Sequence, residues 1–123
     1  MHRVLIVGAG ATGSSAALRL RQLGVEAKLE VWEKARGPGG RMSTNRQDID
    51  GSTVRADMGA QYLSLDPADA ASTQVSELLL AKGICAKVSP AQLSATPERQ
   101  RDWEHLAGTA GGVNDALKAL IEE

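Results

Sequence analysis

Apolar positions recur along this chain with two different periods. Arg3 to Val7 is a short run rich in β-branched residues, closed by Gly8, the pattern of a strand buried in a parallel sheet. Over Thr12 to Leu23 the period becomes helical, with Ala16, Leu20 and Leu23 in register and Gly24 placed as a C-terminal stop. Lys28 to Glu33 alternates, with Leu29 and Val31 on one side and Trp32 on the other, and predicts a second strand. Together these segments predict a βαβ unit, whose crossover is right-handed in nearly all known cases.

Farther along, the punctuation is denser. Ala35 to Gly40 reads as a loop, and Ser43 to Gln47 and Thr53 to Ala56 read as two strands of a hairpin turning at Asp50-Gly51. Asp66-Pro67 is placed to open a second helix, the Asp as N-cap and the Pro at the first helical position. Val75, Leu78 and Leu79 would form its buried stripe and Gly83 its end. Ser89 to Arg101 has no clear period and reads as loop. A last helix follows Gly111-Gly112, where Val113, Ala116, Leu117, Leu120 and Ile121 keep the spacing of one buried face. The fold class is therefore α/β, a Rossmann-like start with an inserted β-hairpin. With only two parallel strands in evidence, the domain reads as incomplete.

Composition narrows the chemistry. Fourteen Lys and Arg against fifteen Asp and Glu leave a net charge of −1, which argues against a nucleic-acid surface. No stretch approaches the ~18 apolar residues of a membrane span. The single cysteine, Cys85, excludes an internal disulfide and is expected to be a small buried hydrophobe. With His2 and His105 the only histidines, no metal site is expected, and His105 reads as an exposed loop residue. Arg3 and the apolar run to Ala11 have the outline of a secretory leader, but the glycines in the same stretch have a better explanation. The expected location is cytoplasmic, and the oligomeric state is not legible.

That explanation is Gly8-Ala9-Gly10-Ala11-Thr12-Gly13, a GxGxxG between a strand and a helix. Gly8 permits the tight turn, Gly10 lets backbone approach a pyrophosphate, and Gly13 allows close helix–strand packing. The anion would rest on free N–H groups at the helix N-terminus, reached from Gly10, Ala11 and Thr12. Glu33 closes the second strand 20 residues after Gly13, where a carboxylate accepts ribose hydroxyls and repels a 2′-phosphate. A second glycine pair, Gly39-Gly40-Arg41-Met42, follows after five intervening residues, and Arg41 offers a fork of donors to phosphate oxygens. Asp57-Met58-Gly59-Ala60-Gln61-Tyr62 comes third. There Asp57 is placed to cap a turn and Tyr62 to enter the core.

Taken in order, VLIVGAGATGS, VWEKA, GGRMST and ADMGAQY resemble the renalase family, within the amine-oxidase-like flavoproteins of glutathione-reductase-type fold. The resemblance runs from Arg3 to about Leu65, and Gly111-Gly112-Val113 resembles the glycine-headed helix that follows in that family. It implies FAD as cofactor, a reduced nicotinamide dinucleotide isomer as substrate and O₂ as acceptor, giving NAD(P)⁺ and hydrogen peroxide. It also implies that Gly8, Gly10, Ala11, Thr12 and Gly13 hold the pyrophosphate and Glu33 the adenosine ribose. Gly40, Arg41 and Met42 would lie along the pyrophosphate or ribityl, with Gln61 and Tyr62 beside the isoalloxazine. No catalytic acid or base is assigned. Residues 1–123 would be the N-terminal part of an FAD/NAD(P)-binding domain, with the substrate domain absent. Three alternatives stay open: a non-enzymatic dinucleotide-binding fragment, an NAD-dependent protein resting on the βαβ unit alone, and a portion of an amine-oxidising flavoenzyme.

Overall fold

The computed structural model describes residues 2–93 and 102–123. Strand β1 (His2–Val7), helix α1 (Ala11–Gln22) and strand β2 (Ala27–Trp32) form the expected βαβ unit. The two strands pair in parallel from His2 opposite Ala27 to Val7 opposite Trp32. Val4, Ile6, Leu29 and Val31 share the half-buried face, and α1 lies against it, since a Cβ added at Gly13 would sit 3.3 Å from Ile6 Cγ2. The other face is open: Val7 is 79% and Trp32 61% exposed. Parallel sheets are ordinarily covered on both faces.

Beyond a single turn of 3₁₀ helix at Gly40–Met42, β3 (Thr44–Ile49) and β4 (Ser52–Asp57) make the hairpin in antiparallel register. Its turn uses Asp50 at φ 49° and Gly51 at φ 78°, the left-handed pair that matches strand twist in a two-residue connection. β5 (Tyr62–Leu65), α2 (Ala70–Ala81), β6 (Cys85–Lys87), β7 (Glu104–Gly108) and α3 (Asn114–Glu122) complete the order. β5, β7 and β6 form a three-stranded antiparallel sheet with β7 in the middle. Among the described residues no helix is long and apolar enough to cross a membrane.

α3 is the keel of the molecule. Val113, Leu117 and Leu120 pack with Leu18 of α1 and Met42 in one cluster, while Ala116 and Ala119 pack with Leu79, Cys85 and Leu106 in another. Burying side chains of this size contributes about 1.5–3 kcal/mol each. The start of α3 is pinned from the hairpin. Both Asp57 carboxylate oxygens accept from Val113 N–H, at 2.9 and 3.1 Å, placing negative charge at the positive end of the helix. Thr44 Oγ1 donates to Asp57 at 2.5 Å and accepts from Asn114 N–H at 3.3 Å. Arg46 donates to Asn114 Oδ1 at 3.1 Å, and Arg55 to the Ala110 carbonyl at 3.1 Å. Gly112 leaves room for this: at φ 84°, any Cβ would stand 2.5 Å from Thr44 and 2.7 Å from Asp57.

The structure corrects three expectations. Asp66-Pro67 does not cap α2. Asp66 Oδ1 accepts from Ala68 N–H at 2.9 Å in a turn of its own, and Asp69 caps the helix by accepting from Ser72 N–H at 2.8 Å. α1 buries Ser14, Ala17 and Leu18, leaving Leu23 59% exposed, because its neighbour on that side is α3. His105 lies in β7, not in a loop; its strand and β6 were missed because they are short and take partners distant in sequence. Part of the expected Ser89–Arg101 loop, residues 94–101, lies outside the described residues; Pro90–Gln92 is a 3₁₀ turn.

Because Asp57 ties the hairpin to the helix that serves both clusters, Asp57→Ala should lower unfolding stability by about 2 kcal/mol, read from the urea midpoint. A loss no larger than that of an exposed alanine substitution would show that the cap is not needed.

Candidate dinucleotide site

The GxGxxG turn leaves β1 and enters α1 with its backbone bare. Gly8 N–H continues the parallel ladder by donating to the Trp32 carbonyl at 2.7 Å. Gly13 is fixed by close approach: an added Cβ would stand 1.9 Å from the Gly8 carbonyl oxygen. Gly10 is the opposite case, since a Cβ there would meet nothing within 4 Å. It is the N-cap of α1, no side chain caps that end, and the first turn carries no carboxylate. An uncapped helix start with space before it presents N–H donors and positive potential to an anion.

Glu33 lies one residue beyond β2 and works first as a brace. Its Oε1 accepts from Ala35 N–H at 2.9 Å and its Oε2 from Ala9 N–H at 2.8 Å. Those two backbone donors, Ala35 first, hold its carboxyl below the ordinary glutamate value. A carboxylate offers about four lone-pair sites, so about two remain for ribose hydroxyls. The bracing contacts leave part of the same carboxylate open for the role expected of it.

The second glycine pair meets the first. Gly39 N–H donates to the Ala9 carbonyl at 3.1 Å, and a Cβ on Gly40 would lie 3.7 Å from Gly10 Cα. Gly8, Gly10, Gly13, Glu33 and Gly40 thus come together in one place, with Ala11 and Thr12 exposed beside them at the start of α1. Arg41 is exposed, and its guanidinium makes no hydrogen bond or ion pair among the described residues. Met42 stands apart from the other expected contacts. It is 7% exposed within the core, and its N–H donates to the Gly39 carbonyl, so it pegs the turn from beneath.

The third segment lies alongside. Ala60 N–H donates to the Arg41 carbonyl and Met58 N–H to the Ser43 carbonyl, both at 3.0 Å. Gly59 permits this contact, since a Cβ there would lie 2.1 Å from the Arg41 oxygen. Arg41, Ser43, Met58, Gly59 and Ala60 line a hollow of about 550 Å³, within the usual range of about 300–1,000 Å³ for small-molecule sites. Gln61 and Tyr62 follow directly and are exposed. Tyr62 does not enter the core: its ring meets His105 edge-on, with centroids 5.7 Å apart. Asp57 proves to be the cap of α3. Cys85 is buried, and burial pushes its thiol up to about 11, with the charges of Asp57 and Asp115 adding to the effect.

A family model described as an NAD(P)-binding Rossmann-like domain matches residues 6–78, a span holding both glycine turns, Glu33 and the hairpin. This chain belongs to that family. As a Rossmann-like domain of this kind it is similar to the renalase of Mus musculus, 43% identical over 68 residues. That match covers 54% of this chain and 20% of the relative. It is also similar to a zeta-carotene-forming phytoene desaturase of Myxococcus xanthus, 47% identical over 52 residues. There the match covers 42% of this chain and 9% of the relative. The matched segments span a fifth or less of the length of these curated relatives.

The contacts that sequence reasoning missed are those of Ala9 and Gly39, which act through backbone atoms and carry no side-chain signal. The lowered pKa of Glu33 makes a directional prediction. A depressed folded-state value stabilises above the unfolded value of about 4.3 and is lost as pH falls through the folded value. The urea midpoint of Glu33→Gln should therefore trail wild type at pH 6 and converge on it in acid. A gap that stays constant into acid would mean that the charge on Glu33 contributes nothing to the fold.

Proposed function

We propose that this chain forms the adenosine-diphosphate half of an FAD site in a flavin-dependent oxidoreductase of renalase type. The reading rests on one observation above the others: two glycine turns, 30 residues apart in sequence, lie backbone against backbone at the uncapped start of α1. A cradle that a Cβ would fill on either side suits a pyrophosphate, and an Arg41 guanidinium without a partner among the described residues suits its charge. The sequence resemblance and the similarity to renalase support the same direction.

In this reading the N–H groups of Gly10, Ala11 and Thr12 and the dipole of α1 hold the pyrophosphate. Glu33 accepts the adenosine ribose hydroxyls with the lone pairs that Ala9 and Ala35 leave free. Arg41 neutralises phosphate or holds the ribityl chain, and Gln61 and Tyr62 border the ring end. FAD, when bound, supplies the two-electron acceptance from a reduced nicotinamide isomer and its return to O₂ as hydrogen peroxide. In this reading the chain's own residues bind and orient the cofactor. A nicotinamide dinucleotide as the resident ligand is the second reading, favoured by the description of the family model. The Gly39–Arg41 turn argues for FAD, since a lone βαβ phosphate site does not need it.

The decisive variant is Gly10→Asp. Open space around Gly10 lets the fold tolerate it, while the new carboxylate occupies the phosphate position. We expect unchanged far-ultraviolet circular dichroism and at least a ~100-fold loss of FAD affinity, on the scale of repulsion between like charges at close range. Equal FAD binding by the variant would remove the phosphate-cradle reading. Competition by NAD⁺ stronger than by FAD would favour the second reading.

A further inference from the structure

We infer that His105, held by Ser64, is a positioning residue that sets the ring of Tyr62 as an aromatic wall at the flavin end of the site. For its ligand this inference rests on the FAD reading above; the side-chain group itself stands on geometry alone. Ser64 of β5 and His105 of β7 are direct cross-strand partners, and Ser64 Oγ lies 3.0 Å from His105 Nδ1 in a hydrogen bond. Tyr62 precedes Ser64 by two residues, so both project from the same face of the sheet. The intervening Leu63 and its partner Leu106 face the core.

Tyr62 and His105 meet edge to face, at 90° between planes. Tyr62 stands at the first position of β5, 37% exposed, and belongs to neither core cluster. The edge contact biases where the ring points, by a factor of about 2–10. Directly before Tyr62, the Met58–Ala60 segment is bonded to the turn carrying Arg41 and lines the hollow beside it. Tyr62 follows two residues after Ala60, the last residue of that lining. With its orientation set by Ser64, His105 acts on the ligand through Tyr62.

The test is the emission of bound FAD, which an electron-rich tyrosine in contact quenches. FAD would be titrated into wild type, His105→Ala, His105→Phe, Ser64→Ala and Tyr62→Phe. We expect Tyr62→Phe and His105→Ala each to raise bound-flavin emission about twofold. In His105→Ala, FAD affinity should change less than about twofold, since the adenosine half is untouched. His105→Phe restores an edge contact and should restore quenching, which a purely structural role would not predict. Emission unchanged in His105→Ala, or in Tyr62→Phe, overturns the inference. If the chain takes up no FAD, the cofactor reading fails, and the positioning role is judged in the free chain by the Tyr62 ring-proton shifts. Movement of those shifts in His105→Ala, reversed in His105→Phe, supports it; identical shifts overturn it.

Discussion

The site depends on the peptide groups of a single small residue. Ala9 gives its N–H to Glu33 at the end of β2, and its carbonyl accepts from Gly39 at the start of the second turn. Its side chain is buried, and its bond to Glu33 is part-buried. Three segments far apart in sequence thereby converge on the N-terminus of α1. A buried backbone group without a partner costs as much as a lost hydrogen bond, so these contacts also satisfy donors that the bare glycine turn would strand.

Around that hub the rest of the molecule acts as a clamp. The Gly40–Met42 turn stays on the surface because Met42 is driven into the cluster with Leu117 and Leu120, and α3 is fixed in turn by Asp57 and Thr44 of the hairpin. Hairpin, α3 and glycine turn therefore form a closed circuit in which each element positions the next. By contrast, the face of β1 and β2 that carries Val7 and Trp32 has no cover among the described residues. The cohesion of the chain comes from α3 and the antiparallel sheet more than from its parallel pair.

Local patterns were legible in the sequence, and long-range partners were not. The βαβ unit, the Asp50-Gly51 hairpin and the buried face of α3 follow from period and turn chemistry, which act over a few residues. The β6 and β7 strands, the cap at Asp69 in place of Asp66, and the burial of Ala17 and Leu18 all depend on which element lies alongside. At the site, Gly39-Gly40 drew its expected role from the family resemblance, while GxGxxG and Glu33 could be read from spacing as candidate phosphate and ribose contacts. Their mutual contact through Ala9 could not, because backbone hydrogen bonds leave no trace in residue identity. Met42 looked like part of a binding motif because it adjoins Arg41, whereas its apolar side chain was bound to turn inward. His105 looked inert because its partners, Ser64 and Tyr62, lie about forty residues away.

The central claim is that the two glycine turns form one cradle for a dinucleotide. The most direct measurement is a titration of FAD into the ¹⁵N-labelled chain, following backbone amide shifts. The account predicts that Gly10, Ala11 and Thr12 move together with Gly40 and Arg41, along a single binding curve. Shifts confined to one turn, or none at saturating FAD, would contradict it.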